Sequence, residues 1–172
     1  MRVEVEDIPS RGRVVAYGLD DPSLVAPVAL ALEATPTELS GELRLKRDGT
    51  GVRAFVRGRA RVELPCARCG EPVDLVVEVD TRLGYRPTAE APASGEVELS
   101  ADDLDEGFFD GTGLEIGDIL AEAFALAAPD RVTCAAAQGG ISCELGRTET
   151  PADDVVGHPA FAVLRQLGKD RS

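Results

Sequence analysis

The stretch Leu64-Pro65-Cys66-Ala67-Arg68-Cys69-Gly70-Glu71-Pro72-Val73 stands between two alternating runs near the middle of the chain. Two cysteines separated by two residues and followed by glycine describe a tight turn with both sulfurs on one side. Gly70 can take the positive φ that such a turn needs. The same spacing serves a metal knuckle or a redox disulfide. A redox pair of the thioredoxin kind sits at a helix N-terminus, whose dipole lowers a thiol pKa. Here Gly70-Glu71-Pro72 leads instead into Val73-Asp74-Leu75-Val76-Val77-Glu78-Val79-Asp80, which alternates as a strand does. The knuckle therefore ranks above the redox pair.

Ahead of the corner, Glu38-Leu39-Ser40-Gly41-Glu42-Leu43-Arg44-Leu45-Lys46 also alternates. Asp48-Gly49-Thr50-Gly51 supplies turn residues, and residues 52–64 continue the period of two. With residues 73–85 this predicts a three-stranded antiparallel meander whose second bend is the Cys66/Cys69 corner. Three strands with one apolar face are about the least that is stable alone, and helices must cover that face. Further upstream, residues 1–7 and 13–17 read as short strands. Asp21 caps a helix with Pro22 at its first position, where the missing N–H costs nothing. That helix is expected over residues 24–34, and its apolar residues run nearly all round, which predicts burial on more than one side.

Beyond the meander, residues 87–113 are rich in Pro, Ala, Gly, Ser and carboxylates. They read as a flexible acidic loop with one short strand around Val97-Glu98-Leu99 and a Phe108-Phe109 anchor; the carboxylate spacing does not fit a calcium loop. Residues 114–128 form the clearest helix, with Ile116, Ile119, Leu120, Ala123, Phe124 and Ala127 repeating at three and four and Pro129 ending it. A loop then carries Cys134 and Cys143, and residues 158–167 read as a short amphipathic helix. The fold class is α+β: an antiparallel β-meander with a CxxC corner, packed by two or three short helices, with a flexible acidic loop. Residues 1–130 are expected as a single α+β domain, and residues 131–172 as a Cys-bearing loop with a short C-terminal helix or tail.

The chain has 172 residues and a net charge of −13. That size fits one domain with a real core. Its acidity opposes a whole-surface nucleic-acid footprint, since phosphate binding relies on Lys/Arg stripes. The local exception is the run through Arg44, Lys46, Arg47, Arg53, Arg57, Arg59, Arg61 and Arg68. On a strand, Arg53, Arg57, Arg59 and Arg61 share a face, to be read as a solvated sheet face or as an RNA- or ribosome-facing patch. No basic-hydrophobic-small leader opens the chain and no apolar run approaches the ~20 residues of a membrane helix, so a cytoplasmic protein without membrane contact is expected. Cysteines in that compartment are metal ligands or free thiols more often than disulfides.

Four thiolates satisfy tetrahedral zinc, and Cys66, Cys69, Cys134 and Cys143 number four. The alternatives are one closed structural zinc site and four free thiols, and the sequence leaves both open. A closed site has no open coordination position, so its role is stabilisation. The one histidine, His158, stands before proline in the tail and makes a poor triad or metallohydrolase residue. There is no Walker-type loop and no GxSxG. A non-enzymatic binding or assembly protein without a small-molecule substrate is expected.

In the order of its features the chain resembles the YceD family, the large ribosomal RNA subunit accumulation proteins. The resemblance rests on Gly58-Arg59-Ala60-Arg61-Val62-Glu63-Leu64 leading into Cys66-Ala67-Arg68-Cys69-Gly70-Glu71-Pro72-Val73. It continues through Leu114-Glu115-Ile116-Gly117-Asp118-Ile119-Leu120-Ala121-Glu122 with Leu126 and Pro129, the cysteine-bearing loop, and Pro159-Ala160-Phe161-Ala162-Val163-Leu164-Arg165-Gln166-Leu167. Many members carry a denser C-terminal cysteine cluster, of which Cys134 and Cys143 remain here. The resemblance implies a bacterial, non-enzymatic ribosome-biogenesis factor supporting synthesis, processing or accumulation of 23S rRNA. Its implied partners are 23S rRNA, large-subunit ribosomal proteins or an rRNA-processing factor. The alternative is a zinc-stabilised protein–protein interaction module unrelated to ribosomes.

Overall fold

The computed structural model describes residues 1–91, 106–136 and 143. Its centre is the expected meander: β3 (Glu38–Asp48), β4 (Gly51–Pro65) and β5 (Pro72–Pro87). The β3–β4 ladder runs from Glu38↔Arg61 to Asp48↔Gly51, and the β4–β5 ladder from Val52↔Tyr85 to Pro65↔Pro72. Both are antiparallel, and the alternation read from the sequence sets their faces. Leu39, Leu43 and Leu45, then Val52, Ala54, Val56, Ala60 and Val62, then Val73, Leu75, Val77, Val79, Leu83 and Tyr85 turn inward and are buried.

The sheet is wider than the meander. β2 (Arg13–Gly18) pairs antiparallel with β3, and β6 (Glu106–Phe109) runs parallel to β5, giving five strands in the order β2-β3-β4-β5-β6. The Phe108-Phe109 anchor is half realised: Phe109 is buried and Phe108 remains about half exposed. The segment around Val97-Glu98-Leu99, most of the acidic loop, and the expected helix over residues 158–167 lie outside the described residues.

The N-terminal strand β1 (Arg2–Glu4) pairs with β7 (Gly113–Glu115) in a separate two-stranded ribbon. This corrects the start of the second helix, expected at residue 114. Leu114 and Glu115 pair with Val3 and Arg2, so α2 runs over Ile116–Ala127. Its buried residues include Ile116, Ile119, Leu120, Ala123 and Phe124, the face read from the sequence, while Ala127 is exposed.

The first helix, α1, covers Pro22–Ala31 with Asp21 as N-cap; the Asp21 carboxylate accepts from the Ser23 N–H at 3.0 Å. It stops three residues earlier than expected. Glu33 takes φ 55°, the Glu33 N–H donates to Leu30 O at 3.3 Å, and the Ala34 N–H donates to Ala29 O at 3.1 Å. This is a Schellman ending with glutamate where glycine is usual. The expectation of burial on more than one side is also corrected. Only Leu24 and Val28 of the helix are buried, and Leu30 is 83 % exposed. The helices pack on each other and on the inner face of the sheet, where the Tyr17 and Phe124 rings meet edge-on at 6.3 Å.

Candidate metal centre

Pro65 and Pro72 face each other as the last pair of the β4–β5 ladder. Neither has an N–H, so the ladder stops there and the six residues between them form the corner. The Cys66 N–H donates to Glu71 O at 2.8 Å and the Gly70 N–H to Cys66 O at 2.9 Å, closing the turn. Gly70 takes φ 80°, the left-handed conformation its position was read to need. The Arg68 N–H points at the Cys66 sulfur, 3.4 Å away. No helix follows the corner; β5 does, as the sequence indicated.

The chain beyond α2 returns to this corner. The Ala67 N–H donates to Val132 O at 2.8 Å, and Cys134 follows in a 3-10 turn over Cys134–Ala136. The Cys69 and Cys134 sulfurs lie 3.4 Å apart, those of Cys66 and Cys143 3.9 Å apart, and all four fall within 4.8 Å of one another. A disulfide needs about 2.05 Å, and all four cysteines are free. Tetrahedral zinc with Zn–S near 2.3 Å places its sulfurs about 3.8 Å apart. The four sulfurs therefore fit a structural zinc ion.

The thiols are not equivalent. Backbone N–H groups of Cys69 and Arg68, aimed at its sulfur, hold Cys66 down to about 6. The neighbouring Cys69 and Cys66 sulfurs, helped by burial, push Cys134 up to about 12, and burial raises Cys143. One thiolate forms readily and discourages the next, because anions this close repel. A lowered thiol pKa would also suit a redox cysteine, but Cys66 is only 3 % exposed, which bars an incoming disulfide.

The arginines read as one row do share the outer face of the sheet, and each has a carboxylate partner. Arg53 pairs with Asp48, Arg57 with Asp80 at 2.9 Å, Arg59 with Glu38 at 3.9 Å, and Arg61 with Asp74 at 2.7 Å. These acids come from β3 and β5 through the register, which accounts for much of the row as a balanced, solvated face. Phe55 escaped the sequence reading. It has the same parity as Arg53 and Arg57, so it also faces outward, 36 % exposed. His158 lies outside the described residues.

No helix among the described residues is long and apolar enough to cross a membrane. No curated protein and no solved structure matches the chain. The family model for the large ribosomal RNA subunit accumulation protein YceD matches residues 56–168, a span holding all four cysteines, β5 and α2, and the chain belongs to that family.

Proposed function

We propose that Cys66, Cys69, Cys134 and Cys143 hold one structural zinc ion, and that the protein is a non-enzymatic ribosome-biogenesis factor. Membership of the family carries a role in large-subunit ribosomal RNA accumulation. The proposal places that role in synthesis, processing or protection of 23S rRNA, with the RNA itself, a large-subunit protein or a processing factor as partner. The observation that carries the metal is the convergence of four sulfurs from three separate stretches of chain within 4.8 Å. Four protein ligands would fill the ion's shell and leave no position for water or substrate, so the ion would tie the chain after α2 to the β4–β5 corner.

The test combines two measurements. Protein prepared without a chelating tag should carry one zinc per chain. Deleting the gene should lower the ratio of large- to small-subunit ribosomal RNA, and wild type should restore it. A metal-free protein whose four thiols titrate freely in the folded state refutes the zinc; an unchanged RNA ratio refutes the role. One observation favours the other reading, a zinc-stabilised protein-interaction module: the outer face of α1 leaves Ala26 and Leu30 exposed, with Val25 and Ala29 half-buried beside them. Under that reading, pull-down with a tagged copy recovers proteins unrelated to the large subunit.

A further inference from the structure

The outer face of the sheet changes character along its length. Toward the Cys66/Cys69 corner β5 presents Asp74, Glu78 and Asp80, and Arg61 and Arg57 of β4 pair with Asp74 and Asp80. Past Asp80 the sign changes. Register places Val14, Arg44, Phe55 and Arg82 in one row across β2, β3, β4 and β5, with Lys46 and Arg53 paired in the next row. Phe55 is 36 % exposed at the middle of this row, and Val14 is exposed beside Arg44. A shallow depression beside the ring is lined by Glu42, Arg44, Lys46 and Arg57.

Around Phe55 the cations Arg44, Lys46, Arg53, Arg57 and Arg82 outnumber the carboxylates Glu42, Asp48 and Asp80. Three of those cations are engaged: Arg44 with Glu42 at 3.6 Å, Arg53 with Asp48, and Arg57 with Asp80. Lys46 and Arg82 have no carboxylate within 4.0 Å among the described residues. An exposed aromatic ring on a sheet, set among cations of which Lys46 and Arg82 have no carboxylate partner among the described residues, has the composition of a stacking platform for unpaired bases.

We propose that this end of the outer face binds single-stranded RNA, one base stacking on Phe55 while Lys46, Arg82 and Arg44 meet the flanking phosphates. A duplex offers no free base face to the ring, so it is not the ligand. The acidic half of the sheet confines the site to a few nucleotides and makes the binding modest and salt-sensitive. The surface rests on the reading above that the protein acts on large-subunit RNA, and it names how that RNA is held. Phe55, Arg44 and Lys46 precede the span 56–168 that matches the family, so family membership does not by itself supply this surface.

The probe is fluorescein-labelled oligouridylate and oligoadenylate, with a labelled RNA duplex as the comparison, titrated with the full chain and followed by anisotropy. Wild type should bind the single strands and discriminate against the duplex. Phe55→Ala should weaken binding by about 5- to 150-fold, the range of base–aromatic stacking. Lys46→Gln and Arg82→Gln should each lower the slope of log affinity against log salt by about 0.7, one phosphate contact on a single strand. Circular dichroism checks that Phe55→Ala still folds. Phe55→Trp covers the case in which it does not: the chain has no tryptophan, and this one indole should keep RNA binding and be quenched on adding it. Wild type that ignores single strands, that binds duplex equally well, or that binds as tightly after Phe55→Ala overturns the surface, as does an unquenched indole. So does a pull-down in which ribosomal proteins are held through this face without RNA. Failure of the broader role reads differently: RNA binding through Phe55 with an unchanged ribosomal RNA ratio in the deletion removes the role and keeps the surface. A changed ratio without binding does the reverse.

Discussion

Gly41 and Gly58 are register partners on the inner face of the sheet, and the Tyr17 side chain lies across both. The Tyr17 hydroxyl donates to Arg57 O at 3.1 Å. A methyl group at residue 58 would meet that hydroxyl and the Ser40 carbonyl oxygen, and would stand 2.9 Å from the Gly41 Cα. Two of those neighbours are backbone and cannot rotate away. Gly58→Ala should therefore carry an overpacking cost of about 1–3 kcal/mol. Displacing the ring would also strain a hydrogen bond worth about 0.5–1.5 kcal/mol. Against this, alanine restricts the unfolded chain and returns about 0.4–1 kcal/mol. The net expectation is a loss of about 2 kcal/mol, or about 4–8 °C in Tm for a chain of this size.

Urea unfolding followed by far-ultraviolet circular dichroism measures it. Tyr17→Phe isolates the cause. It removes the hydroxyl at a cost of about 1 kcal/mol. In that background Gly58→Ala no longer meets the hydroxyl, the nearest of those atoms, so its cost should fall by about 1 kcal/mol, a coupling that a double-mutant cycle resolves. Wild-type stability in Gly58→Ala, or strict additivity of the two changes, would refute the account of the paired glycines.

The two tyrosines should titrate late. Burial pushes the Tyr17 phenol up to about 12, and burial together with the Glu122 carboxylate, which accepts from the Tyr85 hydroxyl at 2.6 Å, holds Tyr85 well above its ordinary value. The fold favours the neutral phenols, so this stability is complete below 10.0 and falls as pH rises from there through about 12. Phenolate absorbance should grow together with loss of the sheet, and its appearance near pH 10 in folded protein would contradict the burial. Zinc at about a hundredfold over its dissociation constant should stabilise the metal-free protein by about 2.7 kcal/mol. Cys134→Ser should lose most of that rise in thermal unfolding, and an equal rise in both proteins would exclude Cys134 as a ligand.

Where local chemistry decides, residues predict structure well. Cys66, Cys69 and Gly70 announce the corner because their neighbours Pro65 and Pro72 end the ladder on both sides. Asp21 and Pro22 announce a helix start, and the three-and-four spacing of Ile116, Ile119, Leu120, Ala123 and Phe124 announces the buried face of α2. Pairings made at a distance leave no such mark. Leu114 and Glu115 look helical until Val3 and Arg2 arrive opposite them. Glu33 carries no sign of the left-handed φ that the end of α1 imposes. The apolar residues of α1 cannot tell which side will find a partner. Eight residues separate Cys134 from Cys143, too many for a local motif, and the Ala67–Val132 hydrogen bond holds the start of the later segment beside the first pair. Phe55 was legible by parity alone, since it alternates in phase with Arg53 and Arg57. Only the register of β2, β3 and β5 shows that its row also holds Val14, Arg44 and Arg82.

The proposed metal site and the proposed RNA surface share strand β4 and little else. Phe55 and Cys66 are eleven residues apart on an extended chain, about 35 Å at the usual rise per residue. Between them β4 is held on both sides by ladders whose hydrogen bonds involve no sulfur, and the buried apolar cluster beneath it does not include Cys66. Loss of the ion would free the chain at Cys134 and Cys143 while leaving the register that aligns Val14, Arg44, Phe55 and Arg82 intact. Zinc would therefore govern where the chain after α2 goes, and the sheet would govern what the outer face can hold. An effect of the metal on RNA is then expected to run through the residues that follow α2, because both ladders of β4 hold the strand between the two sites in register without the sulfurs.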